Sequence, residues 1–208
     1  MIITKHSHSC LLIKEANQTI LIDPGNYTYE EKALDINSLE KLDYILITHE
    51  HPDHMYIPFI KELIEKFPDL KIITNASAVN VLKEANIEAS MEGSHEIQIS
   101  PTPHERVFGV VPPENIQFSL FEKLTHPGDS LHFTLSTPIL ALPLQAPWCS
   151  LTEAVEYAVS QKPKVVIPIH DWHWNEKARE GFYERLTKYF GDNGIEFNPL
   201  GRGEELTV

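Results

Sequence analysis

The chain has 208 residues, 42% of them hydrophobic, which suits one ordinary globular core and excludes an intrinsically disordered chain. Lys and Arg number 17 against 30 Asp and Glu, and the resulting charge of −13 repels phosphate backbones and argues against nucleic acid as partner. Two cysteines in apolar stretches, Cys10 and Cys149, a start without a signal-like apolar core, and no run of ~18 apolar residues together predict a cytoplasmic protein without disulfides or a membrane span.

Residues 1–22 read as strands, with Cys10–Ile13 and Thr19–Ile22 forming a hairpin around the polar Lys14-Glu15-Ala16-Asn17-Gln18. Asp23-Pro24-Gly25 then signals a turn. Tyr44-Ile45-Leu46-Ile47 is a buried strand. After it, Ile60, Leu63, Ile64 and Phe67 share one face of a helix over 58–67. Leu70–Ile73 is a strand, and Asn75 caps a second helix carrying Ala78, Val79, Leu82 and Ala85. From about residue 95 the pattern changes to strands separated by Pro and Gly turns: 95–100, 106–111, 116–123, 131–135 and 139–142. The last third returns to α/β, with a helix over 152–161 capped by Ser150 or Thr152, a strand at Val165-Val166-Ile167 and an amphipathic helix over 176–190. There is no fixed-period repeat and no linker, so a single domain over 1–208 is expected, with helices layered on sheets.

The chemistry concentrates in Thr48-His49-Glu50-His51-Pro52-Asp53-His54, where a buried strand gives way to a loop. His49 and His51 are two apart and project to the same side of an extended chain, and Pro52 forces the turn that returns Asp53 and His54. Neutral imidazoles with a carboxylate suit zinc, and also manganese or iron. Of the later histidines, His104 lies in a loop just past the strand ending at Ser100. His95 sits at that strand's opposite end, too far to share an ion. Gly128-Asp129-Ser130 reads first as a turn, and His170 again ends a buried strand. His6 and His8 read as solvent-facing strand histidines and are not assigned as ligands.

His-x-His-x-Asp-His after a hydrophobic strand resembles the main signature of the metallo-β-lactamase-fold hydrolases. Within them the chain is similar to bacterial metal-dependent hydrolases related to the ascorbate-phosphate lactonase, through His8-Ser9-Cys10 and Ile167-Pro168-Ile169-His170. The resemblance implies a four-layer αββα sandwich with Asp23 supporting the site from beneath. It implies two divalent metals, zinc first and manganese second, held by His49, His51 and His104 on one side and by Asp53, His54 and His170 on the other, with Asp129 between them. It further implies a hydroxide held between the metals that attacks a small ester-like substrate, a lactone or a phosphorylated relative. Asp53 and His126 are the candidate catalytic helpers, and Trp148, Trp172, His173 and Trp174 are candidates to line the pocket. His51, where flavodiiron proteins of this fold carry Glu, argues against redox chemistry. Two alternatives stand beside the hydrolase: a phosphodiesterase or nuclease of the same fold, and a non-catalytic metal binder. The sequence leaves homo-oligomerisation open.

Overall fold

A computed structural model describes residues 1–208 and consists of two six-stranded mixed sheets packed face to face, with helices on both outer faces. The first sheet comprises β1 (Ile2–Lys5), β2 (Leu11–Glu15), β3 (Gln18–Ile22), β4 (Tyr44–Leu46), β5 (Lys71–Ile73) and the C-terminal β12 (Glu205–Thr207), in the order β12-β1-β2-β3-β4-β5. The second comprises β6 (Ile97–Pro103), β7 (Glu114–Leu120), β8 (Leu124–His126), β9 (Ile139–Pro143), β10 (Val165–Ile169) and β11 (Glu196–Phe197), in the order β11-β10-β9-β8-β7-β6. In each sheet an antiparallel portion passes into a parallel one: β3-β4-β5 in the first, β8-β9-β10-β11 in the second. The short helix α1 (Asn26–Glu30), α2 (Ile57–Lys66) and α3 (Ala76–Glu84) belong to the first half, α4 (Leu151–Gln161) and α5 (Glu176–Asp192) to the second. No helix is long and apolar enough to cross a membrane.

The two-residue period of the strands sorts side chains between layers. In β3, Ile20 and Ile22 enter the core between the sheets, while Leu21 faces outward toward α2 and α3 with Phe59, Ile60, Leu63, Ala78 and Leu82. In β9, Ile139 and Ala141 face the inner core, whereas Leu140 and Leu142 meet Ala154, Val155 and Phe190 of α4 and α5. Strands covered on both faces must be apolar throughout, which is why β4, β9 and β10 read as continuous apolar runs. Side chains of Asn75, Ser150 and Asn175 cap α3, α4 and α5 by accepting the amides of Ala78, Glu153 and Ala178. The architecture is the expected αββα sandwich.

Two of the expected strands do not form. Residues 106–111 are a loop whose Phe108 and Val111 are 86% and 89% exposed, with Gly109 at φ +74°. Residues 131–135 keep the alternation of a strand, with Leu131 and Phe133 buried, but have no strand beside them. The Gln117 side chain replaces the missing ladder: its Oε1 accepts the Thr134 amide at 3.2 Å and its Nε2 donates to the Thr134 carbonyl at 3.0 Å. Alternation records one buried face; it does not require a neighbouring strand.

Candidate metal centre

Ends of strands from both sheets meet at one edge of the sandwich. β3 leads into Asp23, β4 into His49–His54, β6 into His104, β8 into Asp129 and β10 into His170. Two glycines make the approach possible. A Cβ on Gly25 would lie 1.8 Å from the Asp53 carbonyl oxygen, so only glycine lets the Asp23 turn touch the metal loop. Gly128 has φ +61°, and a Cβ there would lie 2.2 Å from Asn115 Oδ1 and 2.8 Å from Thr48 Cβ. Asn115 holds this turn further, donating to the Pro127 carbonyl and accepting the Asp129 amide.

The donors fall into two groups. His49, His51, His104 and Asp129 form one, and His8, Asp53, His54 and His170 the other; within each group the donor atoms lie within 4.8 Å of one another. Asp129 reaches both. Its Oδ2 is 3.7 Å from His49 Nε2 and 3.5 Å from His104 Nε2, while its Oδ1 is 3.1 Å from His54 Nε2 and 3.2 Å from His170 Nε2. Asp53 Oδ2 faces the second group, 3.8 Å from both His54 Nε2 and His170 Nε2. The structure thus brings together all seven residues that the sequence nominates as ligands.

An outer layer of hydrogen bonds turns the rings. Asp23, fully buried, accepts the Thr48 amide at 2.8 Å, the Thr48 hydroxyl at 2.9 Å and His54 Nδ1–H at 2.7 Å. Because the Thr48 hydroxyl is committed to Asp23, its oxygen is left to accept from His49 Nδ1 at 3.1 Å. His104 Nδ1 donates to the Glu105 carbonyl at 2.6 Å and His170 Nδ1 to the Gln145 carbonyl at 2.7 Å. In all four rings Nδ1 is engaged as a donor, which leaves Nε2 facing Asp129.

These inward atoms test whether the residues fit metal ions. His54 Nε2, His104 Nε2, His170 Nε2 and Asp129 Oδ1 are all buried with no hydrogen-bond partner. A buried polar atom without a partner costs on the order of 1–3 kcal/mol, so four of them gathered around Asp129 in the two groups demand partners. A cation meets that demand, and the donor set of imidazole and carboxylate suits a divalent metal.

The electrostatics agree. Burial holds His49 well below its ordinary value, with His54 adding to the effect, and His51 is lowered mainly by burial; both are neutral and competent as ligands. Burial alone would lower His54 and His170 too, but Asp129 and the neighbouring carboxylates raise both. Asp129 itself would be raised by burial, yet His170, His54 and His49 hold it well below the usual carboxylate range. The pocket therefore carries an excess of negative charge that favours any cation placed in it.

Two expectations need correction. His126 does not reach the centre. It is fully buried, its Nε2 donates to the Ser9 carbonyl at 3.1 Å and its Nδ1 accepts the Gly128 amide at 3.3 Å. With both ring nitrogens engaged by backbone it has no atom left for catalysis, and it anchors the Asp129 turn instead. His8 is the residue that sequence reasoning missed. It lies in a turn after β1, 98% buried, with φ +56° and Nε2 3.1 Å from Asp53 Oδ2. His95 is exposed at the far end of its strand, as expected, and His132 pairs with Glu105 outside the centre.

An aromatic rim surrounds the donors. Trp148 stands edge-on to both His104 and His170, at ring distances of 6.1 and 5.2 Å. Trp172 stacks on Tyr27 at 4.0 Å, and His173 lies 5.9 Å from the His8 ring. Trp174 turns away to stack on Phe182 at 4.6 Å. Clefts of about 650 and 730 Å³ adjoin the centre, one past His104 and the other past His8.

Comparison with known proteins agrees with this geometry. The profile of the β-lactamase superfamily domain matches residues 2–170. Protein Rv0786c of Mycobacterium tuberculosis is 30% identical over 202 residues, covering 90% of this chain and 92% of its own. A UPF0173 metal-dependent hydrolase of Nanoarchaeum equitans is 23% identical over 225 residues, covering 97% of both chains. The crystal structure of the metallo-β-lactamase fold protein YhfI from Bacillus subtilis superposes with a TM-score of 0.71 at 14% identity, covering 99% of this chain and 98% of that one.

Proposed function

This chain belongs to the β-lactamase superfamily, and on that footing we propose that it is a binuclear metal-dependent hydrolase of small ester-like substrates, a lactone or a related, phosphorylated compound among them. The observation that carries the reading is Asp129, whose two carboxylate oxygens face the two groups of imidazoles separately. In this reading His49, His51 and His104 would hold one metal, Asp53, His54 and His170 would hold the other, and Asp129 would offer one oxygen to each. Zinc suits this donor set best, with manganese second.

When bound, the pair of cations supplies Lewis acidity, bringing the pKa of water to about 7 and withdrawing charge from the group under attack. The protein's part is preorganisation. Asp23, Thr48 and the carbonyls of Glu105 and Gln145 hold the imidazole lone pairs in place before any ligand arrives, so little reorientation accompanies the reaction. Asp53 is the carboxylate nearest the opening, its side chain 24% exposed against 3% for Asp129, which places it where an incoming substrate would meet the centre. Trp148, Tyr27 and Trp172 restrict the mouth, which supports a small molecule over a polymer as substrate.

The test combines metal analysis with a substrate panel. Protein purified without chelator is expected to carry about two equivalents of metal and to hydrolyse lactones or related esters in preference to thioesters and phosphodiesters, with zinc or manganese. A single equivalent after full supplementation would refute the binuclear assignment, and turnover of phosphodiesters alone would refute the ester assignment.

A further inference from the structure

We propose that His8 is an additional protein ligand of the second metal, joining Asp53, His54 and His170 through Nε2; this rests on the binuclear reading above. Among the four donors of that group, His8 Nε2 is the nearest nitrogen to Asp53 Oδ2, at 3.1 Å against 3.8 Å for His54 and His170. Adjacent donors about 2.1 Å from a shared ion lie roughly 3.0 to 3.4 Å apart, from six- to four-coordinate arrangements, so separations of 3.1 to 3.8 Å are close to those of atoms arranged around a common ion.

The backbone is shaped to put the ring there. His8 and His170 are both in the left-handed region, at φ +56° and +58°, and the His170 amide donates to the His8 carbonyl at 3.2 Å. A left-handed backbone is unfavourable for histidine and persists only where its surroundings impose it. The His8 ring lies 3.7 Å from that of His170 and edge-on to Tyr27 at 5.1 Å. One difference from the other imidazoles matters. His49, His54, His104 and His170 each have Nδ1 anchored, whereas His8 Nδ1 is buried with no partner. No hydrogen bond on Nδ1 orients His8, so its ring is less firmly fixed than those four. Its loss should therefore cost less than the loss of His54.

The alternative is that His8 only donates a hydrogen bond to Asp53. His8→Gln separates the two, because an amide can still donate to Asp53 but is a poor metal ligand. We expect the wild type to bind two equivalents of cobalt(II), and both His8→Ala and His8→Gln to bind one equivalent at least about tenfold more weakly, with the other unchanged and with an altered visible spectrum of the weakened ion. His8→Gln with wild-type affinity and spectrum would overturn the proposal while two equivalents leave the binuclear reading standing. One equivalent in the wild type would overturn that reading, and the two variants would still judge His8 on the ion that remains. If the variants do not fold, nuclear magnetic resonance of the wild-type dicobalt protein, labelled at histidine, decides. Six strongly shifted rings support the proposal, and five, without His8, overturn it.

Discussion

Asp23→Asn removes one charge beneath the second group of donors with almost no change of shape. The carboxylate serves three donors: the Thr48 amide at 2.8 Å, the Thr48 hydroxyl at 2.9 Å and His54 Nδ1–H at 2.7 Å. Asparagine has one carbonyl oxygen. If that oxygen stays on the Thr48 amide, the NH₂ group confronts His54 Nδ1–H, and two donors meet. The conflict is relieved when His54 moves its proton to Nε2, the nitrogen 3.1 Å from Asp129 Oδ1, and in that tautomer it has no lone pair for a metal. Loss of such outer support weakens metal binding by roughly 10–100-fold, or ~1.4–2.7 kcal/mol. The metal-free fold should suffer as well. Two hydrogen bonds to a buried carboxylate, each worth about 1.5–3 kcal/mol, are lost or inverted, so a drop of roughly 3–6 kcal/mol is expected. In a chain of this size that corresponds to ~6–24 °C in melting temperature. Competition with a chromogenic chelator should show one equivalent weakened and the other, held by His49, His51 and His104, changed by only a few-fold. Calorimetry of the chelated protein measures the stability term. Both metals held as tightly as in the wild type would refute the tautomer argument, even if the melting temperature fell.

Asp129→Asn should leave the fold intact, weaken at least one metal markedly and reduce turnover by several orders of magnitude, because one anion between two cations is removed; metal titration and steady-state kinetics check this, and near-normal values would reduce Asp129 to a turn residue. Gly128→Ala should lower metal content and cost about 1–3 kcal/mol, since a Cβ would overlap Asn115 Oδ1 at 2.2 Å while the residue is held at φ +61°; chemical denaturation with metal analysis reads both effects. Lys5→Ala should cost roughly 3–5 kcal/mol in urea denaturation, because Lys5 Nζ and Asp171 Oδ2 form a buried pair at 2.7 Å and the carboxylate would be left behind. The same pair predicts a pH effect. Burial alone would raise Asp171, but Lys5, Tyr183 and Arg179 hold it below 3.8, so its stabilisation is complete above that value and is lost as the pH falls below about 4, where the unfolded carboxyl takes up its proton first. Melting temperatures in that range should fall more steeply for the wild type than for Asp171→Asn, and parallel curves would refute the assignment.

Much of the fold was legible because burial on two faces leaves a strong imprint. The apolar runs at β3, β4, β9 and β10, and the helical spacing of Ile60, Leu63 and Leu82, each record which layers cover them. The failures lie where a period has another cause. Residues 131–135 alternate because one side faces the core, but the side chain of Gln117 closes their hydrogen bonds. β8 escaped notice: the strand expected over 116–123 runs through the reversal at Phe121 and Glu122, both at positive φ without a glycine to announce it, and stops just short of Leu124, where β8 begins. Of the short closing strands, β12 is defined by a partner at the far end of the sequence, in the pairing of Leu206 with Ile3, and the two-residue β11 only by its parallel pairing with β10.

The centre was legible where ligand spacing and strand ends coincide, and not where the chain turns unaccountably. His49, His51, Asp53 and His54 come from one loop, and His104 and His170 each follow a strand that could be recognised. His8 and His126 were assigned in the wrong sense for a single reason: type and neighbourhood in sequence do not report which way a ring points. His126 neighbours Asp129 in the chain but alternates away from it, into a bed of backbone partners at Ser9 and Gly128. His8 seemed to continue a strand, whereas its left-handed backbone ends β1 and swings the ring under Tyr27 toward Asp53. The signal that was available is the flanking chemistry. Ser7-His8-Ser9 interrupts an apolar N-terminal hairpin with three buried polar residues, and a buried polar cluster requires partners. For His8 those partners are Asp53 and, in the arrangement argued above, the ion that Asp53 would share with it.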